Sequence, residues 1–280
     1  MFPYASTAKQ WLTQNWGNIL AGIVASFIVL ALQVVSRALT LMLVTFITLK
    51  WRLRLLWSLG HPQRIYVVSG AVSGVSEEVK AIVLAGTDAE AANSLIATAG
   101  LLYPEVDVRH VYSSIFCRDF YKEDLIVVGG PINNSCAASV LPELAPQIHF
   151  DEFSLVVADS TYDTILSNEG NPVRDYGALI RITNPFDVSK SVIMAVGCDT
   201  YGVLAAALLG STRREAINAR KSLFSELGCR KYFRAQSYIA VVECDVLGND
   251  VGEIRLMQVV RLNHYCPVKN RTESVGWRFR

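Results

Sequence analysis

The 280-residue sequence has few charged residues, and this deficit excludes several classes of protein. Charged side chains make up 18% of the chain, and the formal net charge is +1. A nearly neutral chain lacks the basic surface with which nucleic-acid-binding proteins attract phosphates, so we expect no direct nucleic-acid partner. Glycine and proline are also scarce, at 18 and 9 residues, which excludes disorder as the main state.

The sequence also lacks the short motifs that mark several kinds of catalytic and cofactor site. Neither GxGxxG nor GxxxxGK[ST] occurs, so a dinucleotide fingerprint and a P-loop are unsupported. No GxSxG or HExxH motif is present either. The six cysteines stand singly, without a CxxC pair or a histidine at metal-ligand spacing. We therefore expect small buried thiols, with neither a metal site nor a disulfide framework, and the sequence establishes no cofactor.

The excess of apolar residues in this chain is concentrated near the N-terminus. Hydrophobic residues make up 51% of the chain, and the mean hydropathy is +0.30. Residues 19–49 include one charged side chain, Arg37. This run exceeds the ~20 apolar residues that a membrane-spanning helix needs, and it is too long for a secretory signal. We predict a membrane anchor over residues 1–58, in which interfacial tryptophans at positions 11, 16, 51 and 57 flank the apolar run.

The charges around this run predict its orientation. Only Lys9 precedes the run, whereas four basic residues follow it, at positions 50, 52, 54 and 64. By the positive-inside rule, residues 59–280 are expected in the cytoplasm, with the anchor in a bacterial inner membrane. A single span, or a span followed by an interfacial helix, is favoured because no turn signal occurs near Arg37. A helical hairpin stays open as an alternative.

One face of the predicted span is polar. Gln33, Arg37, Thr40 and Thr48 are separated mostly by helical spacings and fall near one face. An arginine at membrane depth is costly unless it faces protein, water or headgroups. Packing against further copies of the chain would shelter it, so we expect a homo-oligomer in the lipid bilayer. The alternative is that Arg37 simply extends to the membrane interface.

The remainder of the chain, residues 59–280, alternates predicted strands and helices. This order predicts one α/β domain with a doubly wound, mostly parallel sheet and a C-terminal β-hairpin around 247–250. Thr87 or Asp88 is the predicted N-cap of the first helix of this domain. The basic cluster of the last helix is interpreted as a solvated face, and its members are Arg213, Arg214, Arg220 and Lys221. The predicted strands are 65–70, 106–112, 125–129, 153–158, 177–183 and 192–197, and the predicted helices are 88–101, a short one ending near 144, and 203–227.

Glycine-bearing loops follow three of the apolar strands. In an open parallel sheet such loops gather at the carboxyl edge, where glycine lets the backbone approach a ligand phosphate. We therefore expect a nucleotide-like ligand there. The asparagines could recognise a ribose or base, with a helix N-cap as the equal alternative. The candidate ligand-binding residues are Ser69, Gly70, Ser73, Gly74, Gly129, Gly130, Asn133, Asn134, Asp199, Thr200, Tyr201 and Gly202.

Catalytic residues are less clearly marked than the ligand loops. Five carboxylates could lie near the same crevice and perform acid–base chemistry, but no histidine stands at a recognisable spacing from a partner. The sequence therefore assigns no catalytic residue, and a binding protein is favoured over an enzyme. The carboxylates are Glu143, Asp159, Asp163, Asp175 and Asp199.

The residues around these loops resemble a known pattern. The segments are DLIVVGGP at 124–131 with Asn133, Asp175-Tyr176-Gly177, Arg181, Asn184-Pro185-Phe186, Gly197 and Tyr201-Gly202. Over about residues 65–230 they resemble a group of uncharacterised bacterial Rossmann-like proteins with the pattern DLIxxGGPxxN…YGxxxRxxNP…GxxxxGxxAA. This resemblance implies a Rossmann-like fold but no particular reaction. A membrane helix before such a domain is also similar to effectors of bacterial antiphage systems of the cyclic-nucleotide, retron and Thoeris kinds, although architecture alone implies function weakly.

Two functions of different classes follow. The first is a membrane-anchored antiphage effector that senses a nucleotide second messenger or a regulatory protein and perturbs the membrane through its oligomerised helix, as in abortive infection. The second is a membrane-tethered nucleotide or nucleoside hydrolase, or a glycosyl transferase, acting in the same crevice. A structural anchor for another protein is a third reading.

Overall fold

A computed structural model describes most of the chain, as two compact units. The backbone is described for residues 4–70, 72–73, 82–83, 86–144, 146–228 and 237–262, and the side chains of the first helix mainly from residue 26 onward. The units are Met1–Leu49 and Lys50–Arg280. The division therefore falls earlier in the chain than the boundary predicted at residue 58.

The first unit is the greater part of one long apolar helix, α1 (Tyr4–Trp57). The segment Ser26–Trp57 is long and apolar enough to cross a membrane by length and composition. Its large hydrophobic side chains are mostly exposed, with Phe27 and Met42 each 68% exposed. No turn interrupts the described helix, so a hairpin within it is not observed.

The second unit alternates strands and helices largely as the sequence predicts. Its helices are α2 (Gly86–Leu102), α3 (Ser135–Val140), α4 (Thr200–Leu209) and α5 (Ile217–Glu226), with 3-10 turns at Ser113–Ile115, Arg118–Lys122 and Leu141–Leu144. The strands are β1 (Arg64–Ser69), β2 (Val72–Ser73), β3 (Ile82–Val83), β4 (Asp107–Tyr112), β5 (Asp124–Val128), β6 (Ile148–Asp151), β7 (Ser154–Val157), β8 (Ser160–Tyr162), β9 (Ile165–Leu166), β10 (Pro172–Thr183), β11 (Ser191–Gly197), β12 (Tyr238–Leu247) and β13 (Asp250–Arg261).

The central sheet has the spatial order β13-β12-β10-β11-β5-β1-β4, with β9 paired to β10. The strands β4, β1, β5 and β11 are mutually parallel, whereas β10, β12 and β13 join by antiparallel pairings. Because two successive reversals return β12 to the common direction, five of the seven strands on this path point the same way. The prediction of a mixed α/β fold with a mostly parallel sheet is confirmed, as is the C-terminal hairpin.

One predicted strand belongs to a different sheet. The segment predicted at 153–158 forms β7, which lies in a small antiparallel sheet, β6-β7-β8. Local alternation identifies a strand but not its partner, which explains the difference. The apolar side chains Leu155 and Val157 pack from this sheet onto one face of the central sheet, together with Ala137 and Val140 of α3. The other face is covered by α2 and α4.

The last two turns of α1 belong to the core of the α/β unit. Trp57 is 1% exposed, and its Nε1 donates a hydrogen bond to the Gly210 carbonyl at 2.8 Å. The buried Arg181 guanidinium of β10 donates to the carbonyls of Trp57 and Ser58 and so caps the helix. The expectation of an interfacial Trp57 is therefore wrong, whereas Trp51 is 62% exposed.

The single helix predicted over 203–227 is broken into α4 and α5. The chain leaves the helical conformation after Gly210, the C-cap of α4. Arg220 of α5 then donates to the carbonyls of Leu208, Leu209 and Arg213. Arg220 is 1% exposed, so its assignment to a solvated face is wrong, because the cation satisfies the free carbonyls at a helix C-terminus.

The buried indole predicts a clear difference between two tryptophans of α1. Trp57→Ala should lower the free energy of unfolding by about 3–5 kcal/mol, because it leaves a cavity and an unpaired Gly210 carbonyl. Trp51→Ala, at an exposed position, is the matched control and should change it by less than about 1 kcal/mol. Urea unfolding of the full chain in detergent micelles, followed by far-UV circular dichroism, measures both. Equal losses would contradict the buried position of Trp57.

Candidate functional site

The three glycine-bearing loops lie side by side at the carboxyl edge of the parallel strands. A Cβ placed on Gly129 would lie 3.9 Å from the Gly70 nitrogen, and one on Gly130 would lie 3.7 Å from the Gly197 oxygen. Gly129 adopts a φ of 101°, a conformation that favours glycine. The sequence expectation that these loops gather at one edge is thus met in the geometry.

Asn134 is the residue that fastens two of these loops together. Its side-chain nitrogen donates to the carbonyls of Val68 and Val128 at 3.0 and 2.8 Å, at the ends of β1 and β5. Its side-chain oxygen accepts from the backbone nitrogens of Cys136 and Ala137, capping α3. All four hydrogen-bonding positions of this buried amide are used within the protein, so the N-cap alternative describes Asn134.

Three glycines bring helix α4 against the sheet. A Cβ on Gly202 would lie 2.0 Å from the Tyr176 oxygen, and one on Gly177 would lie 1.9 Å from the Gly202 oxygen. Gly197 is equally crowded, with the Val203 nitrogen at 2.4 Å from a Cβ position. Backbone–backbone packing therefore explains these glycines, and Gly202 serves the close approach of helix and strand.

The buried Asp175 completes this junction. Its Oδ2 accepts from the Gly202 nitrogen at 2.5 Å, and its Oδ1 accepts from Thr164 Oγ1 and the Tyr176 nitrogen. Burial raises the pKa of Asp175 despite these bonds. Because both oxygens are satisfied by the protein, Asp175 holds α4 in place and is not free for acid–base work.

The other predicted ligand residues are distributed around the same edge. Asn133 is exposed, and its carbonyl lies 2.9 Å from a Cβ position on Gly70. Asp199 is exposed and caps α4 through the Thr200 nitrogen, while Tyr201 donates to the Gly248 carbonyl. Gly74 and the side chain of Ser73 lie outside the described residues.

The most unusual residue at this edge is Asp88, which the sequence predicts only as a possible helix N-cap. Helix α2 begins at Gly86, so Asp88 lies within its first turn instead. It is 6% exposed, and its Oδ1 is buried without a hydrogen-bond partner in the part of the chain that the structure describes. Its Oδ2 lies 3.8 Å from a Cβ position on Gly129. Burial, and secondarily the charge of Asp199, raises the pKa of Asp88 to about 6.

A serine–histidine contact also occurs at the end of β1. Ser69 Oγ lies 2.8 Å from His110 Nε2, but Ser69 is fully buried, so its hydroxyl has no path to a substrate. Glu143, Asp159 and Asp163 are exposed, and no metal-binding group of three or more His, Cys, Asp or Glu side chains occurs within the described ranges. The described geometry assembles no nucleophile–base pair open to solvent.

Three of the four described cysteines fit a packing role, whereas the expectation of a buried thiol is wrong for Cys117. Burial raises the pKa of the Cys136, Cys198 and Cys244 thiols to about 12, so they stay protonated and unreactive at neutral pH. Cys117 is exposed, and Cys229 and Cys266 lie outside the described residues.

The close approach of α4 to the sheet predicts that Gly202, a candidate ligand-binding residue in the sequence, is required for stability. Gly202→Ala should lower the free energy of unfolding by about 3 kcal/mol or more, because its Cβ would overlap the Tyr176 carbonyl. Gly100→Ala, in the same test, meets no atom within 4 Å and should be neutral or stabilising. Urea unfolding by circular dichroism compares them, and a Gly202→Ala protein as stable as wild type would refute the close approach.

The raised pKa of Asp88 predicts a pH-dependent stability. A carboxyl with a higher pKa in the folded state than in the unfolded state binds its proton more tightly when folded, so its contribution to stability declines from about pH 4 to just above pH 6. Asp88→Asn should remove this decline and raise the free energy of unfolding at pH 7.5 by up to about 3 kcal/mol. Urea titrations between pH 4 and 8 without added ligand measure it. A variant less stable than wild type at pH 7.5 would contradict the unpaired carboxylate.

Comparison with known proteins supplies no homologue for this site. No family model matches the chain, and no curated protein matches it. What the carboxyl edge does must therefore be inferred from its own residues and their geometry.

Proposed function

We propose that this protein is a membrane-anchored effector, of the kind used in bacterial antiphage defence, whose α/β unit binds a nucleotide-like ligand. The observation that supports it most directly is the meeting of three loops beside Asp88, a buried carboxylate with one oxygen that has no partner among the described residues. Buried polar atoms are ordinarily hydrogen-bonded, and an exception at a loop cluster marks a place where a ligand would complete the structure. The exposed apolar surface of α1 supplies the membrane attachment.

The order of the parallel strands supports a Rossmann-like assignment and locates the ligand. Taken along the chain, β1, β4, β5 and β11 are arranged in space as second, first, third and fourth. In doubly wound sheets with this order, the connections diverge between the first and third strands, and ligands bind outside their carboxyl ends. Those strands are β1 and β5, whose ends carry Gly70 and Gly129.

The membrane part of the proposal depends on exposed side chains of α1. Phe27, Leu32 and Leu43 are each at least 60% exposed, which is costly in water and favourable in lipid. The basic residues at 50, 52, 54 and 64 follow this surface, so the α/β unit is assigned to the cytoplasmic side of a bacterial inner membrane.

A membrane-tethered hydrolase or glycosyl transferase is the second candidate, and one observation favours it. A carboxyl with a pKa of about 6 can exchange protons near neutral pH, as a general acid or base must. Asp199 is the neighbouring carboxylate, but its Oδ1 caps α4, and the described residues place no nucleophile or histidine beside Asp88, so binding without turnover is the proposed function.

Gly130 offers a test of the ligand site. A Cβ at this position meets Gly197 and Phe150 only at ordinary contact distances, so Gly130→Ala should fold and retain binding. The methyls of Gly130→Val would project into the space above the loops and should reduce affinity at least tenfold. The positive φ belongs to Gly129, so steric occlusion is the expected cause.

Equilibrium dialysis of the full chain in detergent, with labelled ATP and NAD⁺ as nucleotide probes, measures this difference. Unchanged affinity in a folded Gly130→Val protein would remove this loop from the site. Chromatography of the same samples separates the two functions, because conversion of either probe would favour the tethered enzyme.

The effector function requires the polar face of α1 to act in an assembled state. Thr40 and Thr48 donate their hydroxyls to the carbonyls of Ser36 and Val44 in their own helix, leaving their oxygens able to accept from a neighbour. Arg37 and Gln33 are exposed on the same helix. Burying Arg37 against other copies would offset the ~2.5–3.5 kcal/mol that an arginine costs at the centre of a membrane.

Arg37→Leu should therefore insert normally but alter assembly and toxicity, whereas Val34→Leu, an exposed apolar control, should not. Wild type and both variants are expressed at matched levels, membrane potential is followed with a voltage-sensitive dye with and without phage challenge, and the oligomer is sized in detergent. A wild-type protein that never depolarises cells and remains monomeric would refute the effector function and leave the enzyme or a plain anchor.

A further inference from the structure

We propose that Asp88 and Asp199 bind a divalent cation together, and that the ligand at this edge is a phosphate-bearing molecule that enters with it. This inference rests on the proposed function and specifies the chemistry of the same site. Asp88 and Gly197, which lies two residues before Asp199, are the neighbours of the Gly129-Gly130 dipeptide. Asp88 Oδ2 lies 3.8 Å from the Cβ position of Gly129, while the Gly197 oxygen, two residues before Asp199, lies 3.7 Å from that of Gly130.

The backbone groups that a phosphate would need are already occupied. The Gly70 nitrogen donates to the Val128 oxygen at 3.2 Å, and the Gly129 nitrogen donates to the Ala195 oxygen at 2.9 Å. The Gly202 nitrogen donates to Asp175. A glycine-loop cradle of free N–H groups is therefore not available from these three residues, and phosphate must find positive charge elsewhere.

The side chains of this edge are acidic. Asp88 and Asp199 belong to the first turn and the N-cap of two different helices, and no described lysine or arginine forms an ion pair with either of them. Two carboxylates repel a phosphate-bearing ligand unless a cation lies between them. A nucleotide can thus bind at this edge only with a metal ion.

The unpartnered oxygen of Asp88 indicates where that ion would bind. Asp88 is 6% exposed and its Oδ1 has no hydrogen-bond partner among the described residues, so the dipole of α2 is the main compensation for its charge there. Asp199 is exposed and its Oδ1 caps α4, which leaves its second oxygen toward solvent. Magnesium commonly takes one or two carboxylates, several waters and the oxygens of a substrate phosphate, so a site with fewer than three acidic or imidazole ligands is sufficient.

The test uses the full chain in detergent with ATP as the probe, in Mg²⁺ or in EDTA. Affinity for ATP should fall at least tenfold in EDTA. Asp88→Asn and Asp199→Asn should each cause a similar loss in Mg²⁺ while leaving the residual binding in EDTA unchanged. Both substitutions preserve shape, and asparagine is as good an N-cap as aspartate. Glu169→Gln removes an exposed carboxylate in the turn between β9 and β10 and should bind ATP like wild type.

A second arm separates this inference from the proposed function. Titration of the protein with Mn²⁺ alone, followed by the electron paramagnetic resonance signal of the free ion, should show one saturable site that Asp88→Asn removes. ATP binding that is equal in Mg²⁺ and EDTA would overturn the cation site but leave nucleotide binding intact. Absence of ATP binding together with a Mn²⁺ site lost in Asp88→Asn would support the cation and refute the nucleotide. Absence of saturable Mn²⁺ binding, or a site unchanged in Asp88→Asn, would overturn the inference.

Discussion

The amide of Asn134 connects the parts of the molecule on which the carboxyl edge depends. One side chain joins the last carbonyls of β1 and β5 and at the same time caps α3. The two strands are the ones between which the connections diverge, and the amide supplies donors to their last carbonyls at the crevice, in addition to the bond from the Gly70 nitrogen to the Val128 oxygen. Because the amide satisfies both strands and the helix together, the path of residues 129–134 is set, and Gly129 is placed beside Asp88. An aspartate could accept the two capping bonds but could not donate to the carbonyls.

Crowding at this edge decides which polar groups are available to a ligand. Gly177, Gly197 and Gly202 let the backbones of α4, β10 and β11 meet, and Asp175 accepts the nitrogen of Gly202. These residues therefore serve packing, although their types and positions are the same ones that a phosphate-binding loop would use. The groups that remain for the proposed ligand lie at the periphery of the junction, namely Asp88, Asp199 and the open side of Gly130.

Sequence patterns predict which segments form strands and helices better than they predict how those elements pair and pack. The strands β1, β5 and β11 are continuous apolar runs, and their burial on both faces is what such runs indicate. The separate sheet of β7 and the break between α4 and α5 depend on tertiary contacts, namely packing below the central sheet and the insertion of Arg220, and no local pattern encodes them. The position of the three loops at one edge can be predicted from the apolar strands that precede them. Asp88 could not be predicted as a site residue, because an acidic residue in the first turn of a helix is ordinary and only its burial distinguishes it.

Three buried charges at helix ends show why Asp88 differs from a structural ion. Arg220 and Arg181 both lie at helix C-termini, where the helix dipole favours a cation, and each donates several hydrogen bonds to terminal carbonyls. Asp88 has the complementary position, an anion in the first turn of α2, and the dipole stabilises it in the same way. Its Oδ1, however, accepts no hydrogen bond from the described residues, so the dipole is its main compensation. The arginines stabilise the fold through the bonds they donate, although Arg181 also keeps one buried nitrogen, Nη1, without a partner among the described residues. Arg181 is paired with Ile193 near the start of β11, whereas Asp88 lies beside Gly129 at the carboxyl edge, so Asp88 is the buried charge with an unused polar atom at the proposed ligand site.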